Sequence, residues 1–87
     1  MIKGKDFEIH FSHDVVDPSA ILYKFSHITE CEVIIGDEVV YGTSYCMRTD
    51  QFQKSVGRKL ALTRALENLD KETRAKIWTA YFEKVKK

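Results

Sequence analysis

The feature that most constrains the fold is a pair of β-branched segments, residues 32–35 and 38–41, which only Gly36-Asp37 separates. A two-residue loop that begins with glycine favours a type II′ β-hairpin turn. Because such a turn fixes which residues face each other, it also fixes the strand register. The sequence therefore predicts three cross-strand pairs: Ile35 with Glu38, Val33 with Val40 and Cys31 with Gly42.

Both faces of this hairpin carry apolar side chains, and its second strand can continue to Met47. The two apolar sets alternate along the strands. They are Cys31, Val33, Ile35, Val40 and Cys46 on one face, and Ile34, Val39, Tyr41, Tyr45 and Met47 on the other. A sheet that is apolar on both faces is usually covered on both, so we expect helices or another subunit, as in a homo-oligomer, on each.

Two elements are predicted before the hairpin. Residues 7–12 alternate between apolar and polar side chains, which is typical of a strand with one buried face. Asp17-Pro18 is a helix-start signal, and apolar residues follow it at helical spacing, so we predict a short helix over 18–27. A strand over 21–25 is the alternative interpretation of the same residues.

Two helices are predicted after the hairpin. Asp50 followed by Gln53 resembles a capping box and opens a helix that runs to about Leu69. Asp70 caps the last helix, over about 71–85, whose apolar residues fall on one arc. The sequence therefore predicts a single α+β domain over residues 1–87, in the order β-α-β-β-α-α. Its small antiparallel sheet has a central hairpin that packs against the two C-terminal helices.

Small residues form a ridge on the first of these C-terminal helices. Gly57, Ala61 and Ala65 are four residues apart and therefore lie on one side. A glycine inside a helix costs about 1 kcal/mol relative to alanine. We therefore expect a closely packed neighbour at Gly57.

Composition limits where the protein can work. No window of the chain approaches ~18 consecutive apolar residues, so no membrane span is predicted. The first residues lack the apolar segment of a signal peptide, and both cysteines fall in strand-like segments. We therefore expect a cytoplasmic protein with reduced thiols and no membrane partner.

Charge is divided unevenly along the chain. Residues 1–53 carry four Lys/Arg against nine Asp/Glu, net −5, whereas residues 54–87 carry ten against four, net +6. This asymmetry indicates a basic helical side that binds a polyanion, or two surfaces that attract each other within the fold or between subunits. The candidate binding residues on the basic helix are Lys54, Arg58, Lys59 and Arg64.

Arg58 has two interpretations. It shares a sector of the helix with Leu62, Ala65 and Leu69, so its charge lies near an apolar surface. Such an arginine commonly pairs with a carboxylate inside the fold, but it can also hold a phosphate with two hydrogen bonds. The second interpretation makes this helix a nucleic-acid- or nucleotide-binding element.

The sequence contains no recognisable catalytic or cofactor motif. It lacks G-x-S-x-G, a P-loop and G-x-G-x-x-G. The three histidines and two cysteines lack the paired spacing of a zinc site, and neither cysteine begins a helix, where its pKa would fall. We therefore predict no enzymatic activity, no metal site and no cofactor.

A longer pattern covers Gly42 to about Tyr81. It reads G-x3-C-x3-D-x-F from Gly42, followed by G-R-x2-A-L-x-R-A-L from Gly57. In this pattern the chain resembles a group of small, largely uncharacterised bacteriophage proteins. The resemblance implies a viral or mobile-element origin, and small phage proteins often act by binding. They block a host defence complex, redirect a host enzyme or sequester a nucleotide signal.

A second, shorter sequence pattern gives another resemblance. Tyr41-Gly42, Lys59-Leu60-Ala61 and Ala65-Leu66 follow the strand and helix pattern of double-stranded RNA-binding domains, which this part of the chain resembles. Residues 50–53, Asp-Gln-Phe-Gln, stand where that family has a basic triplet. The lysines that hold phosphates in that family therefore have no secure counterpart here.

These observations predict a small phage-type, non-enzymatic binding protein that interacts with a host macromolecule. A host protein is the expected partner, and inhibition of a bacterial defence system is the expected role in the host cytoplasm. The alternative is a nucleic-acid or nucleotide-signal binding module that uses the basic helix over 54–64.

Overall fold

The computed structural model describes residues 2–4, 6–16, 25–47 and 51–85. Its strands form one antiparallel sheet in the order β1-β2-β3-β4, and two helices follow. In chain order these elements are β1 Ile2–Lys3, β2 Phe7–Val15, β3 Phe25–Ile35, β4 Glu38–Met47, α1 Lys54–Leu66 and α2 Lys71–Val85. The α+β class is therefore confirmed. Neither helix has the length and apolar character needed to cross a bilayer.

β3 and β4 form the predicted hairpin. All three predicted cross-strand pairs are present, including Val33 with Val40 and Cys31 with Gly42. Gly36 has a φ of 59°, whereas the φ of Asp37 is not positive. A type I′ turn needs a positive φ at both central residues and a type II′ turn only at the first, so the predicted type II′ turn fits.

The helix predicted over 18–27 is wrong at its C-terminal end. Residues 25–27 begin β3, and residues 18–24 of that helix lie outside the described part of the chain. His27 pairs with Val15 of β2 and with Cys46 of β4. Because partners on both sides satisfy the backbone of this segment, sheet pairing outweighs a weak helical periodicity. The short β1, which pairs with β2, was not predicted.

Both helices pack on one face of the sheet, which we call the inner face. Ring centres of Phe11 in β2 and Tyr81 in α2 lie 5.9 Å apart. The largest fully buried side chains come from this face and from both helices: Ile9, Thr29, Cys31, Val33, Leu62, Leu66, Ile77 and Tyr81. Of the two alternatives expected on each face, helices or another subunit, the described helices cover only the inner face, and neither described helix reaches the other, outer face.

The ridge of small residues on α1 lies directly against β3 and β4. A Cβ atom on Gly42 of β4 would overlap the Ala61 carbonyl oxygen and the Ala65 amide nitrogen. A Cβ atom on Gly57 would lie 2.6 Å from the Oγ1 atom of Thr29. The close approach predicted at Gly57 is therefore confirmed, and Gly42 provides a second contact that the sequence did not predict.

The helix starts differ in how well they were predicted. α1 begins at Lys54, and its N-cap residue Gln53 forms no side-chain capping hydrogen bond. The predicted cap, Asp50, lies outside the described residues. α2 begins as predicted, because Asp70 accepts hydrogen bonds from the Thr73 hydroxyl at 2.6 Å and the Thr73 amide at 3.3 Å. These bonds lower the pKa of the Asp70 carboxyl.

Candidate functional site

The outer face of the sheet exposes a row of large side chains along β4. Val39, Tyr41, Tyr45 and Met47 are 42%, 68%, 50% and 40% exposed, and we call them the β4 row. They occupy alternate positions of the strand, so they project in the same direction. Grouped apolar side chains on a protein surface commonly mark a site of protein interaction.

Carboxylates border the β4 row on the neighbouring strands. Strand alternation places Glu8, Asp14, Glu30 and Glu32 on the outer face. No described residue of this face on β2, β3 or β4 is a lysine or arginine, and Lys3 lies opposite Glu8 at the β1 edge. The outer face therefore combines an apolar, aromatic row with a negative electrostatic field.

Two of the four predicted binding residues on α1 make contacts with neighbouring elements. The Arg64 guanidinium donates a 2.6 Å hydrogen bond to the carbonyl oxygen of Thr43 on β4. The Nζ atom of Lys59 lies 5.9 Å from the ring centre of Phe82 on α2, within cation–π range. These two cations therefore face opposite sides of α1.

The other two predicted residues, Lys54 and Arg58, lie near His13 of β2. Burial and then the charges of Lys54 and Arg58 lower the pKa of His13, against the opposite effect of Asp14. The Nε atom of Arg58 is buried, and no described residue accepts a hydrogen bond from it. Among the described residues no carboxylate forms an ion pair with Arg58, so the structural pair considered from the sequence is not found there.

Two histidines meet Phe52 on the inner face, at the end of β2 and β3 away from the hairpin turn. The His27 ring stacks on Phe52 with centres 4.0 Å apart, and the His13 ring meets Phe52 edge-on at 5.8 Å. The Nδ1 atom of His13 lies 2.9 Å from the Thr29 hydroxyl oxygen, which fixes the imidazole orientation. Within the described ranges no three His, Cys, Asp or Glu side chains are grouped as a metal ion would require.

The two cysteines occupy different environments, and neither forms a disulfide. Cys31 is buried, and burial followed by the charge of Glu32 raises the pKa of its thiol to about 12. The Cys46 thiol donates a 3.5 Å hydrogen bond to the Met47 carbonyl. Because the thiolate is the reactive form, the buried Cys31 is a poor nucleophile.

Cavities lie on both sides of the histidine pair. A cavity of about 400 Å³ lies among β2, α1 and α2, and we call it the cationic cavity because Arg58, His13 and Lys84 line it. A second cavity, of about 310 Å³, lies between β4 and the start of α1. Beside it, the buried Ser44 hydroxyl donates a 2.8 Å hydrogen bond to the Gly57 carbonyl.

The sequence did not predict His13 as a site residue, although it contained a signal. His13 has the same strand parity as Phe7, Ile9 and Phe11, so an extended β2 places it on the inner face. Lys84 had no comparable signal, because its approach to β2 depends on how α2 docks. Comparison of the chain with protein-family models, curated proteins and solved structures finds no match.

Proposed function

We propose that the chain is a non-enzymatic binding protein of bacteriophage type that docks on a host protein through the outer face of its sheet. The observation that carries this proposal is the β4 row, with four large side chains each at least 40% exposed on one strand. The bordering carboxylates favour a partner surface with an apolar centre and a basic border, since complementary charge speeds association and sets specificity.

Tyr41 is the expected anchor of this interface. It is 68% exposed, which makes it the most exposed member of the β4 row. Tyrosine is enriched among residues that dominate binding energy because it offers a large apolar ring together with a hydroxyl group. Loss of such an anchor costs about 2 kcal/mol or more, which corresponds to a ~30-fold weaker complex.

The same charges disfavour self-association through this face. A face-to-face dimer would bring two sets of Glu8, Asp14, Glu30 and Glu32 together, and like charges across an interface are unfavourable. A basic host protein therefore fits the outer face better than a second copy of the chain. A homo-oligomer is an outcome that the experiment below can detect.

The host cytoplasm is the proposed place of action, and a bacterial defence protein is the first class of target to test. Both parts of the proposal rest on the resemblance of the segment from Gly42 to about Tyr81 to small phage proteins. The β4 row adds that the target is bound through an exposed apolar surface.

Affinity capture from bacterial lysate, followed by native mass spectrometry, tests the proposal. Three forms are compared: the wild type, Tyr41→Lys on the outer face and Thr63→Lys on the exposed side of α1. The two variants gain the same charge at exposed positions of opposite layers. We expect a stoichiometric host protein with the wild type and Thr63→Lys, and its loss with Tyr41→Lys. Equal recovery with both variants, or only copies of the chain, would contradict the proposal.

A second candidate function is binding of nucleic acid or of a nucleotide signal by the basic helix. The buried Nε atom of Arg58 favours it, because no acceptor for this atom lies among the described residues. The arrangement of the cations favours a compact anion over a long strand, because Lys59 and Arg64 lie away from Lys54 and Arg58. Nucleic-acid binding predicts affinity that falls steeply with salt. Affinity that is unchanged after Arg58 and Arg64 are both replaced by alanine would rule this candidate out.

A further inference from the structure

The cationic cavity has the composition of an anion site. Three of its lining residues, Arg58 on α1, His13 on β2 and Lys84 on α2, carry or can carry positive charge. No described residue that lines it is acidic. Cations that share a small space repel each other, so an anion placed among them relieves this repulsion.

Arg58 has hydrogen-bonding capacity that the described residues do not use. Its Nε donor is buried without an acceptor, which is costly because buried polar groups are normally paired. A tetrahedral oxyanion can accept two parallel hydrogen bonds from one guanidinium group. Arg58 lines the cavity, so its guanidinium group can hold such a ligand, and the buried Nε donor would be satisfied if the side chain turns toward the cavity.

His13 adds a contribution to anion binding that depends on its protonation state. Its Nδ1 atom is occupied by Thr29 at 2.9 Å, so Nε2 is the ring nitrogen that a ligand in the cavity would use. The groups that act on this imidazole are Asp14 on its own strand, His27 on β3, and Lys54 and Arg58 on α1, while Lys84 of α2 shares the cavity. Burial and the cations lower the His13 pKa, and a bound anion would raise it again.

The rest of the lining is largely apolar, and Tyr81 adds its ring and its hydroxyl group. Ile2, Phe11 and Val85 line the same cavity of about 400 Å³, beside the cations. A space of this size can hold a small organic molecule, and an apolar wall next to charged groups suits a ligand with both kinds of surface. A long nucleic acid would need a row of cations, which the cavity does not offer.

We propose that the cationic cavity binds a small phosphate monoester, with its phosphate held by Arg58, His13 and Lys84 and its organic part against Phe11 and Val85. The double charge of the phosphate matches the two permanent cations, and protonated His13 donates a further hydrogen bond. This site lies on the helical side of the sheet and is independent of the outer face.

Calorimetric titration of the full chain tests the charge part of the proposal, with sulfate as the first probe. Sulfate is chosen because it keeps its double charge over the pH range in which histidine titrates, about pH 5 to 8. We expect sulfate affinity to fall about tenfold from pH 5 to pH 8 at constant ionic strength, since one charge-assisted hydrogen bond is lost. Affinity that is independent of pH would overturn the role of His13.

Two arginine variants on one helix provide a matched comparison. Arg58→Gln should weaken sulfate binding at least tenfold. Arg64→Gln removes the same charge from the side of α1 that faces the Thr43 carbonyl, and should change affinity less than about twofold. If Arg58→Gln does not fold, Lys84→Gln at an exposed position of α2 that lines the cavity takes its place. Equal affinities for the two arginine variants, or no effect of Lys84→Gln, would overturn the site.

Phenyl phosphate, inorganic phosphate and benzoate test the ligand class. Phenyl phosphate should bind about tenfold more tightly than inorganic phosphate, because its ring buries apolar surface against Phe11 and Val85. Benzoate should bind more weakly than either, since it has one charge. Binding of benzoate as tight as that of phenyl phosphate would overturn the choice of a phosphate. Equal affinity for the two phosphates would overturn the choice of a monoester.

Discussion

Gly42→Ala tests the packing of α1 on the sheet most severely. The added Cβ atom would overlap the carbonyl oxygen of Ala61 and the amide nitrogen of Ala65. Both are backbone atoms of a helix, so no rotamer change relieves the overlap and α1 must move away from β4. Overpacking of a tight core costs about 1–3 kcal/mol. Because the overlap is with backbone atoms, we expect Gly42→Ala to lower the free energy of unfolding by about 3 kcal/mol, the upper end of this range.

That loss is large for a chain of 87 residues, whose total stability is about 4–13 kcal/mol by typical per-residue values. It corresponds to a fall in Tm of about 12–24 °C. Guanidinium unfolding and thermal melts, both followed by far-UV circular dichroism, measure the two quantities. The wild type and variant are compared at the same protein concentration, because any self-association would shift both.

Gly36→Ala is the control for this prediction. Gly36 also has a special role, with a φ of 59°, but no atom lies within 4 Å of the position of an added Cβ. Its replacement therefore costs only the strain of a left-handed backbone, about 1–2 kcal/mol. If Gly42→Ala destabilises the protein less than Gly36→Ala, the close contact between β4 and α1 is refuted.

Three further predictions concern single contacts. Gly57→Ala should destabilise the protein, because the added Cβ atom would lie 2.6 Å from the Thr29 hydroxyl oxygen. Adding Thr29→Ala should recover part of the lost stability. A double-mutant cycle that shows no coupling between the two positions would contradict this contact. Asp70→Ala should lower the free energy of unfolding above pH ~4 and have little effect at lower pH. The reason is that hydrogen bonds from Thr73 lower the folded-state pKa of Asp70, so the stability that the Asp70 carboxylate contributes is lost as pH falls through this pKa. Urea unfolding at a series of pH values measures this loss. The Cys31 thiol, with a pKa of about 12, should resist alkylation near pH 8 until the chain unfolds, and peptide mapping of a rapidly labelled native Cys31 would disprove its burial.

The elements with local signals were predicted well from the sequence. The loop Gly36-Asp37 fixes the hairpin because two residues leave only one register for the strands that it joins. α2 was predicted because Asp70 supplies a cap immediately before an apolar arc that contains Ile77 and Tyr81. In each case a few neighbouring residues determine the structure.

The parts that depend on distant partners were not predicted. Residues 25–27 join β3 because β2 and β4 pair with them, and no helical or strand propensity within this segment indicates those partners. The cationic cavity was not predicted for the same reason, since its cations His13, Arg58 and Lys84 come from three elements that meet only in the folded chain. Helical spacing did place Arg58 near an apolar surface, but it could not show which groups would lie opposite.

We propose that the outer face of the sheet binds a host protein. Site-specific photo-crosslinking in bacteria tests it most directly, with benzoylphenylalanine placed at Tyr41 of the β4 row or at Thr63 on the exposed side of α1. We expect position 41 to crosslink to one host protein with a basic surface, and position 63 not to do so. Crosslinks from position 63 alone, or from position 41 to a second copy of the chain, would contradict it.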